Sequence, residues 1–285
     1  MTPDRIKAAR DLIAFHLEAG VDIAVGDEPV DRFAEPAVER PPPAANSAPR
    51  EAARRERHAP ATFSRPGAAA DLPPAAGSQS AATPVSAEAA AMAARQAAHS
   101  AATLDDLRQM LTGFEGCALR NTATRLVFAD GNPAAKLMFV GEAPGYEEDK
   151  QGLPFVGRSG QLLDKMLAAI GLDRTQVYIT NIVPWRPPGN RTPTPQESQI
   201  CLPFIRRQIE LVDPDLLICL GGPSMQTLLE VKDGIMKMRG KWMPYATGTR
   251  DIRAMATLHP AYLLRNPLAK RLAWRDFLAI RKALG

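Results

Sequence analysis

Short apolar runs alternate with helically spaced apolar positions from about residue 103 to the C-terminus. Lys136–Val140, Val177–Val183, Asp215–Leu220 and Ile252–Leu258 read as strands. Leu163, Met166, Leu167 and Ile170 recur at helical spacing, and Gly171 stops that helix. Thr194-Pro195-Gln196-Glu197 reads as a helix start, with Thr194 as cap, Pro195 in the first turn and Glu197 completing a capping box. Gly221-Gly222 opens a helix that runs through Leu229. Asn266-Pro267 begins a last helix, with Ala269, Ala273, Phe277, Ile280 and Leu284 on one face. Strands alternating with helices predict an α/β fold whose parallel sheet is covered on both sides.

The first third of the chain reads differently. In residues 4–19, Ile6, Ala9, Leu12, Ile13 and His16 fall near helical period and Gly20 ends the pattern. Such a helix either docks on the core or serves as a tethered segment for a protein partner. From residue 28 to 102, Pro, Ala, Ser, Arg and Glu dominate and aromatics almost vanish. That composition buries too little apolar area to offset chain entropy, so a disordered linker is expected, with transient helix near residues 85–100. The chain thus divides into an N-terminal helical segment (1–27), a linker (28–102) and a globular domain (103–285).

Charge follows the same division. Residues 1–102 carry 11 basic and 13 acidic side chains, whereas residues 103–285 carry 24 and 18. A basic globular part fits a polyanionic partner, and it fits a mildly basic enzyme surface equally well. Three cysteines, Cys117, Cys201 and Cys219, argue against a disulfide framework and for a reducing compartment. No apolar run is long enough to span a bilayer, and no basic-then-apolar leader opens the sequence, so no membrane association and a cytoplasmic location are expected.

The chemistry concentrates at strand ends. Gly141-Glu142-Ala143-Pro144-Gly145, Thr180-Asn181 and His259-Pro260-Ala261-Tyr262-Leu263-Leu264-Arg265 each follow or finish a strand. Strands that end together in an open α/β sheet bring distant residues into one crevice. An acid, an amide and an imidazole there suit a flat heterocycle. The first string is a rigid turn whose backbone can approach a ligand closely. Such turns are common alone. Its continuation through Tyr146 to Pro154-Phe155-Val156-Gly157 is far more specific. Taken singly, Phe155 is a core aromatic or a stacking platform, Asn181 a turn-closing amide or a base reader, and His259 a structural imidazole or a catalytic donor.

Together with Tyr178-Ile179-Thr180-Asn181, Arg186-Pro187-Pro188-Gly189-Asn190-Arg191, Met238-Arg239-Gly240-Lys241-Trp242 and the string from His259 to Pro267, these motifs make residues 104–285 resemble the family-four uracil-DNA glycosylases. The resemblance implies a three-layer αβα sandwich around a short parallel sheet, acting as a monomer on uracil-containing DNA. The implied reaction is hydrolysis of the bond between uracil and deoxyribose after base flipping, leaving an abasic site. Phe155 would stack on the extruded ring, Asn181 would read its edge, and backbone groups at Ala143 and Gly145 would touch the base or the water. His259 would stabilise the departing anion, and Glu142 would orient water or steady the sugar cation, with Glu148 and Asn190 as further candidates. Arg191, Arg239, Lys241 and Arg265 would hold phosphates, and Leu263 and Leu264 would fill the hole left by the base. A second reading stays open here: a protein that binds or covalently captures uracil-bearing or abasic DNA without turnover.

The family usually binds a four-iron, four-sulfur cluster through four cysteines. Cys117 and Cys201 match two of those positions, and Phe114 and Trp185 stand at the others. No cofactor and no metal are therefore expected, Cys117 and Cys201 being vestigial and Phe114 packing against Trp185 in the cluster's place. Cys219, inside an apolar strand, is expected to be a small core residue.

Overall fold

A computed structural model describes residues 87–285; the helix expected over residues 4–19 and the linker up to residue 86 lie outside the described residues. Four strands form the middle of the sheet, and three of them are buried along their whole length. In Leu137–Gly141 (β2) and Leu216–Leu220 (β4) every residue is buried, as is all of Tyr178–Asn181 (β3). Asp251–Thr257 (β6) starts exposed and ends buried. Asp130–Gly131 (β1) and Trp242–Ala246 (β5) complete a six-stranded sheet of order β1-β3-β2-β4-β6-β5. The three central pairings are parallel and the two edge pairings antiparallel.

Alternate side chains of each strand feed two separate cores, which makes the three layers. Met138, Val140, Leu217 and Cys219 face one side, where they join Phe204, Ile205 and Ile209 of helix Pro195–Val212 (α5) and Met225 and Leu228 of helix Gly222–Leu229 (α6). Leu137, Phe139, Ile218 and Leu220 face the other, against Leu163 and Leu167 of helix Arg158–Ala168 (α4) and Phe277 and Ile280 of the C-terminal helix Lys270–Leu284 (α9). The α/β sandwich read from the sequence is the observed architecture. The capping box of α5 forms as its sequence predicts, with Thr194 accepting from the Glu197 N–H and the Glu197 carboxylate accepting from the Thr194 N–H.

Three elements depart from expectation. Strand β5 was not foreseen, because Pro244 interrupts it; proline is tolerated there since β5 is an edge strand with one unpaired side. The last helix begins with a separate 3-10 turn, Pro267–Ala269, before α9. The largest correction lies in the expected linker. Ala87–Ser100 (α1), where only transient helix was expected, is a helix packed on the core, followed after a capping box at Thr103 by Leu104–Gly113 (α2). Ala90, Ala94 and Ala98 recur every four residues, and all are buried in the core shared with α5. Small side chains let two helices approach closely, so the segment is ordered without aromatics or branched residues. Arg207 of α5 adds a fork of hydrogen bonds to the Ala101 carbonyl at 3.0 and 2.8 Å. The folded unit therefore extends at least to residue 87 rather than starting at 103. Among the described residues no helix is long and apolar enough to cross a membrane.

Candidate active site

The register brings the three polar strings together. Gly141, the last residue of β2, lies directly beside Asn181, the last of β3. On the far side of β4, the end of β6 carries the chain into Leu258 and His259, and His259 caps the short helix Pro260–Arg265 (α8). Between them lies a cavity of about 520 Å³. Glu142, Ala143, Gly145, Phe155, Asn181 and His259 line it, with Glu148, Asn190, Arg191 and Arg265. This is the crevice at a strand-order reversal where open α/β sheets bind ligands: β2 leads sideways to β3 on one flank and β4 on the other.

Close approach at the rim depends on two glycines. A Cβ on Gly141 would collide with the Asn181 side-chain oxygen and come within 2.6 Å of the Phe155 ring. A Cβ on Gly221 would stand 3.1 Å from that of His259, and Gly221 also has a φ of +96°. Gly221 was read only as a helix start; its place at a strand end on the same rim is the signal that marks it as a site residue.

Each polar group has a defined state. His259 Nδ1 accepts a hydrogen bond from the Ala261 N–H at 3.1 Å, so its proton sits on Nε2. Burial pushes the imidazole pKa down to about 4, and the Arg265 charge pushes the same way. Near neutral pH this side chain is an uncharged imidazole with one N–H to donate. Asn181 is 4 % exposed, and its Oδ1 has no hydrogen-bond partner. Glu142 Oε1 is likewise buried and unpartnered, and desolvation raises its carboxyl pKa. Buried polar atoms are rarely left unpaired, so two orphaned acceptors in one cavity mark places for a donor from outside the protein. The Phe155 ring lies 5.5 Å from the His259 ring at 31°. Its backbone has φ +54°, a conformation that costs a non-glycine residue roughly 1–3 kcal/mol.

The structure corrects two of the expected DNA contacts. Arg239, with its side chain 14 % exposed, is not free for phosphate: its guanidinium pairs with Asp276 and donates to the Leu272 carbonyl. Leu263 is 1 % exposed and packs with Leu258 and Ala273, so it is core, not wedge. Leu264, next to it, is 37 % exposed. Arg191 makes a two-bond pair with Glu197, at 2.8 and 2.7 Å, yet still lines the cavity. Lys241 is exposed and outside the cavity lining, and Arg265 is exposed within it. Sequence reading missed Arg174, whose partners Asp130, Pro154, Phe155 and Asp164 are scattered along the chain.

The positions that would carry a cluster do not form a four-ligand site. Cys117 and Cys201 are both fully buried, and the interaction of their side chains pushes the Cys117 thiol pKa down and, together with burial, the Cys201 thiol pKa up. Phe114 meets the Phe204 ring edge-on at 5.0 Å, so its ring partner is Phe204 and not Trp185, which is buried in the same core. Two thiols and two aromatic rings do not supply the four thiolates such a cluster takes. Among the described residues, no group of three or more His, Cys, Asp or Glu side chains is placed to hold a metal ion. Cys219 is the buried core residue expected.

Comparison with known proteins adds an independent line. A family model for the uracil DNA glycosylase superfamily matches residues 128–278. The type-4 uracil-DNA glycosylase of Archaeoglobus fulgidus is 38 % identical over 187 residues, covering 64 % of this chain and 94 % of that protein. That of Thermotoga maritima is 44 % identical over 151 residues, covering 53 % and 77 %. That of Sulfurisphaera tokodaii is 39 % identical over 185 residues, covering 63 % and 84 %.

Proposed function

Because this chain belongs to the uracil DNA glycosylase superfamily, we propose that it excises uracil from DNA by hydrolysing the bond between base and deoxyribose, with the cavity residues in the roles that follow. A base inside a duplex is out of reach, so the nucleotide must swing out before it can enter the cavity. Phe155 offers a face for the ring to stack on. Asn181 Oδ1 accepts from uracil N3–H while its amide nitrogen donates to O4. Cytosine presents the reverse pattern, an acceptor at N3 and a donor at C4, and leaves both groups mispaired. Backbone groups of Ala143 and Gly145 complete the contact with the base or the water.

Cleavage leaves negative charge on uracil, much of it at O2. The Nε2–H of His259 donates there. A neutral donor already aimed at the developing charge stabilises the transition state more than the ground state and needs no reorganisation. The Glu142 carboxylate steadies positive charge growing on the sugar and orients the attacking water, and Asn190, which lines the same cavity, is a further candidate for that water. Water's oxygen bonds to C1′ as the bond to N1 breaks; uracil leaves with the electron pair and takes a proton. Arg191, Arg265 and Lys241 face the phosphates, and Leu264 fills the vacated stack. We place no iron-sulfur cluster in this reaction, because the two thiols and two aromatic rings at those positions do not ligate one. Free buried cysteines fit a reducing compartment, so the cytoplasm is the location proposed.

The observation that carries this reading is the unpartnered Asn181 Oδ1 in the same cavity as an imidazole held in its Nε2–H form. The test is release of uracil from a labelled oligonucleotide under multiple turnover. Wild-type protein is expected to release many equivalents. The double variant His259→Ala, Asn181→Ala is expected to lose nearly all turnover, and normal release by it would refute these assignments.

A further inference from the structure

We propose that Glu148 and Arg174 are positioning residues that grip the Phe155 loop from its two sides and hold the aromatic ring in the cavity; this rests on Phe155 being the surface against which the base lies. Phe155 sits in the left-handed region at φ +54°, which a phenylalanine does not choose unaided. A backbone in that state persists only where its neighbours fix it from several directions.

The fixing groups are both charged and both bind backbone. On the amide side, Glu148 Oε1 accepts from the N–H groups of Val156 at 3.0 Å and Gly157 at 2.8 Å. Its other oxygen accepts from the Gly145 N–H at 3.1 Å. One buried carboxylate thus ties the glycine turn that follows β2 to the loop that carries the ring. Its slot exists because Gly145 and Gly157 lack side chains: a Cβ would stand 2.8 Å from one carboxylate oxygen at the first position and 3.2 Å from the other at the second. On the carbonyl side, Arg174 donates to the Pro154 carbonyl at 3.2 Å and to the Phe155 carbonyl. Arg174 is itself anchored by Asp130 at 2.6 Å and Asp164 at 2.7 Å. Asp130 belongs to the two-residue edge strand β1, which gives that strand a task at the site.

All three hydrogen bonds of Glu148 come from main-chain N–H groups, and both of its carboxylate oxygens are engaged by them. That occupation sets it apart from Glu142, whose Oε1 is free, and separates holding the loop from handling water. Glu148→Gln keeps the shape but offers one carbonyl oxygen and turns an NH₂ group toward an N–H donor. Arg174→Lys keeps the charge but cannot fork across two carbonyls.

The test is a double-mutant cycle on single-turnover uracil release, with amide hydrogen exchange on the same proteins. Glu148→Gln is expected to slow release about tenfold or more, and to cost less than about twofold when Phe155 is already alanine, because residues acting through one another are not additive. Equal losses in both backgrounds would overturn the proposal while leaving the glycosylase reading intact. Should the wild type release no uracil, that reading fails, and exchange decides the clamp alone. The amides of Val156 and Gly157 are expected to lose protection at least about tenfold in Glu148→Gln and in Arg174→Lys, with those of β4 unchanged. Unchanged loop protection in both variants overturns the clamp.

Discussion

At the scale of single residues, the site is a set of protonation states fixed by neighbours. His259 takes up a proton only near pH 4, because its surroundings penalise the charged ring. Glu142 lies the other way: burial raises its carboxyl above 4.5, so its ionised form is lost first on acidification. The profile of kcat/KM against pH should therefore fall on the acid side above 4.5 and show no step near 6.5, the ordinary histidine value. Glu142→Gln should lower activity and take that acid limb with it. His259→Ala, which removes the donor, should cost roughly 10²–10³ in kcat with KM little changed. A second pair of variants separates wall from wedge. Leu263→Ala should destabilise the fold by about 2–5 kcal/mol in denaturant titration, as buried leucines do. Leu264→Ala should leave stability within about 0.5 kcal/mol and weaken excision from duplex more than from single-stranded DNA. Arg239→Ala should also cost stability, about 3–5 kcal/mol, since it strands Asp276 in the interior. These contrasts show where sequence reading stops. Leucines one position apart, or two arginines in basic motifs, look alike in a string; only the helix face of α8 and the depth of Asp276 tell them apart.

At the scale of elements, the strands and their termini were legible because burial on both faces writes itself as an unbroken apolar run. The four central strands and the α5 capping box lie within a residue or two of where the pattern puts them. Helix α1 was not legible in the same way. Its contacts are made by alanines at four-residue spacing, which carry so little apolar area that composition reads them as linker. Its packing makes a prediction. Ala94 is fully buried against α5, so Ala94→Leu should overpack the contact and lower stability by about 1–3 kcal/mol. A thermal melt checks it. Arg174 marks the other limit: its role depends on four partners that approach only once β1, β3 and α4 are assembled.

At the scale of the whole molecule, a parallel sheet delivers an acid, an amide and an imidazole to one rim from strands far apart in the chain. The motifs at strand ends foretold that convergence, and the structure adds their hydrogen-bonding states and the glycines that permit their approach. The cysteine positions carry a prediction of their own: freshly purified protein should contain far less than one iron per chain and be fully active. Iron at four equivalents, lost together with activity on chelation, would contradict it. The most direct test of the central claim is multiple-turnover release of uracil from a labelled duplex, with wild type beside the His259→Ala, Asn181→Ala variant. The account predicts many equivalents of free uracil and abasic product from the first and almost none from the second. No release by wild type, a single equivalent followed by a lasting protein–DNA adduct, or undiminished release by the variant would contradict it.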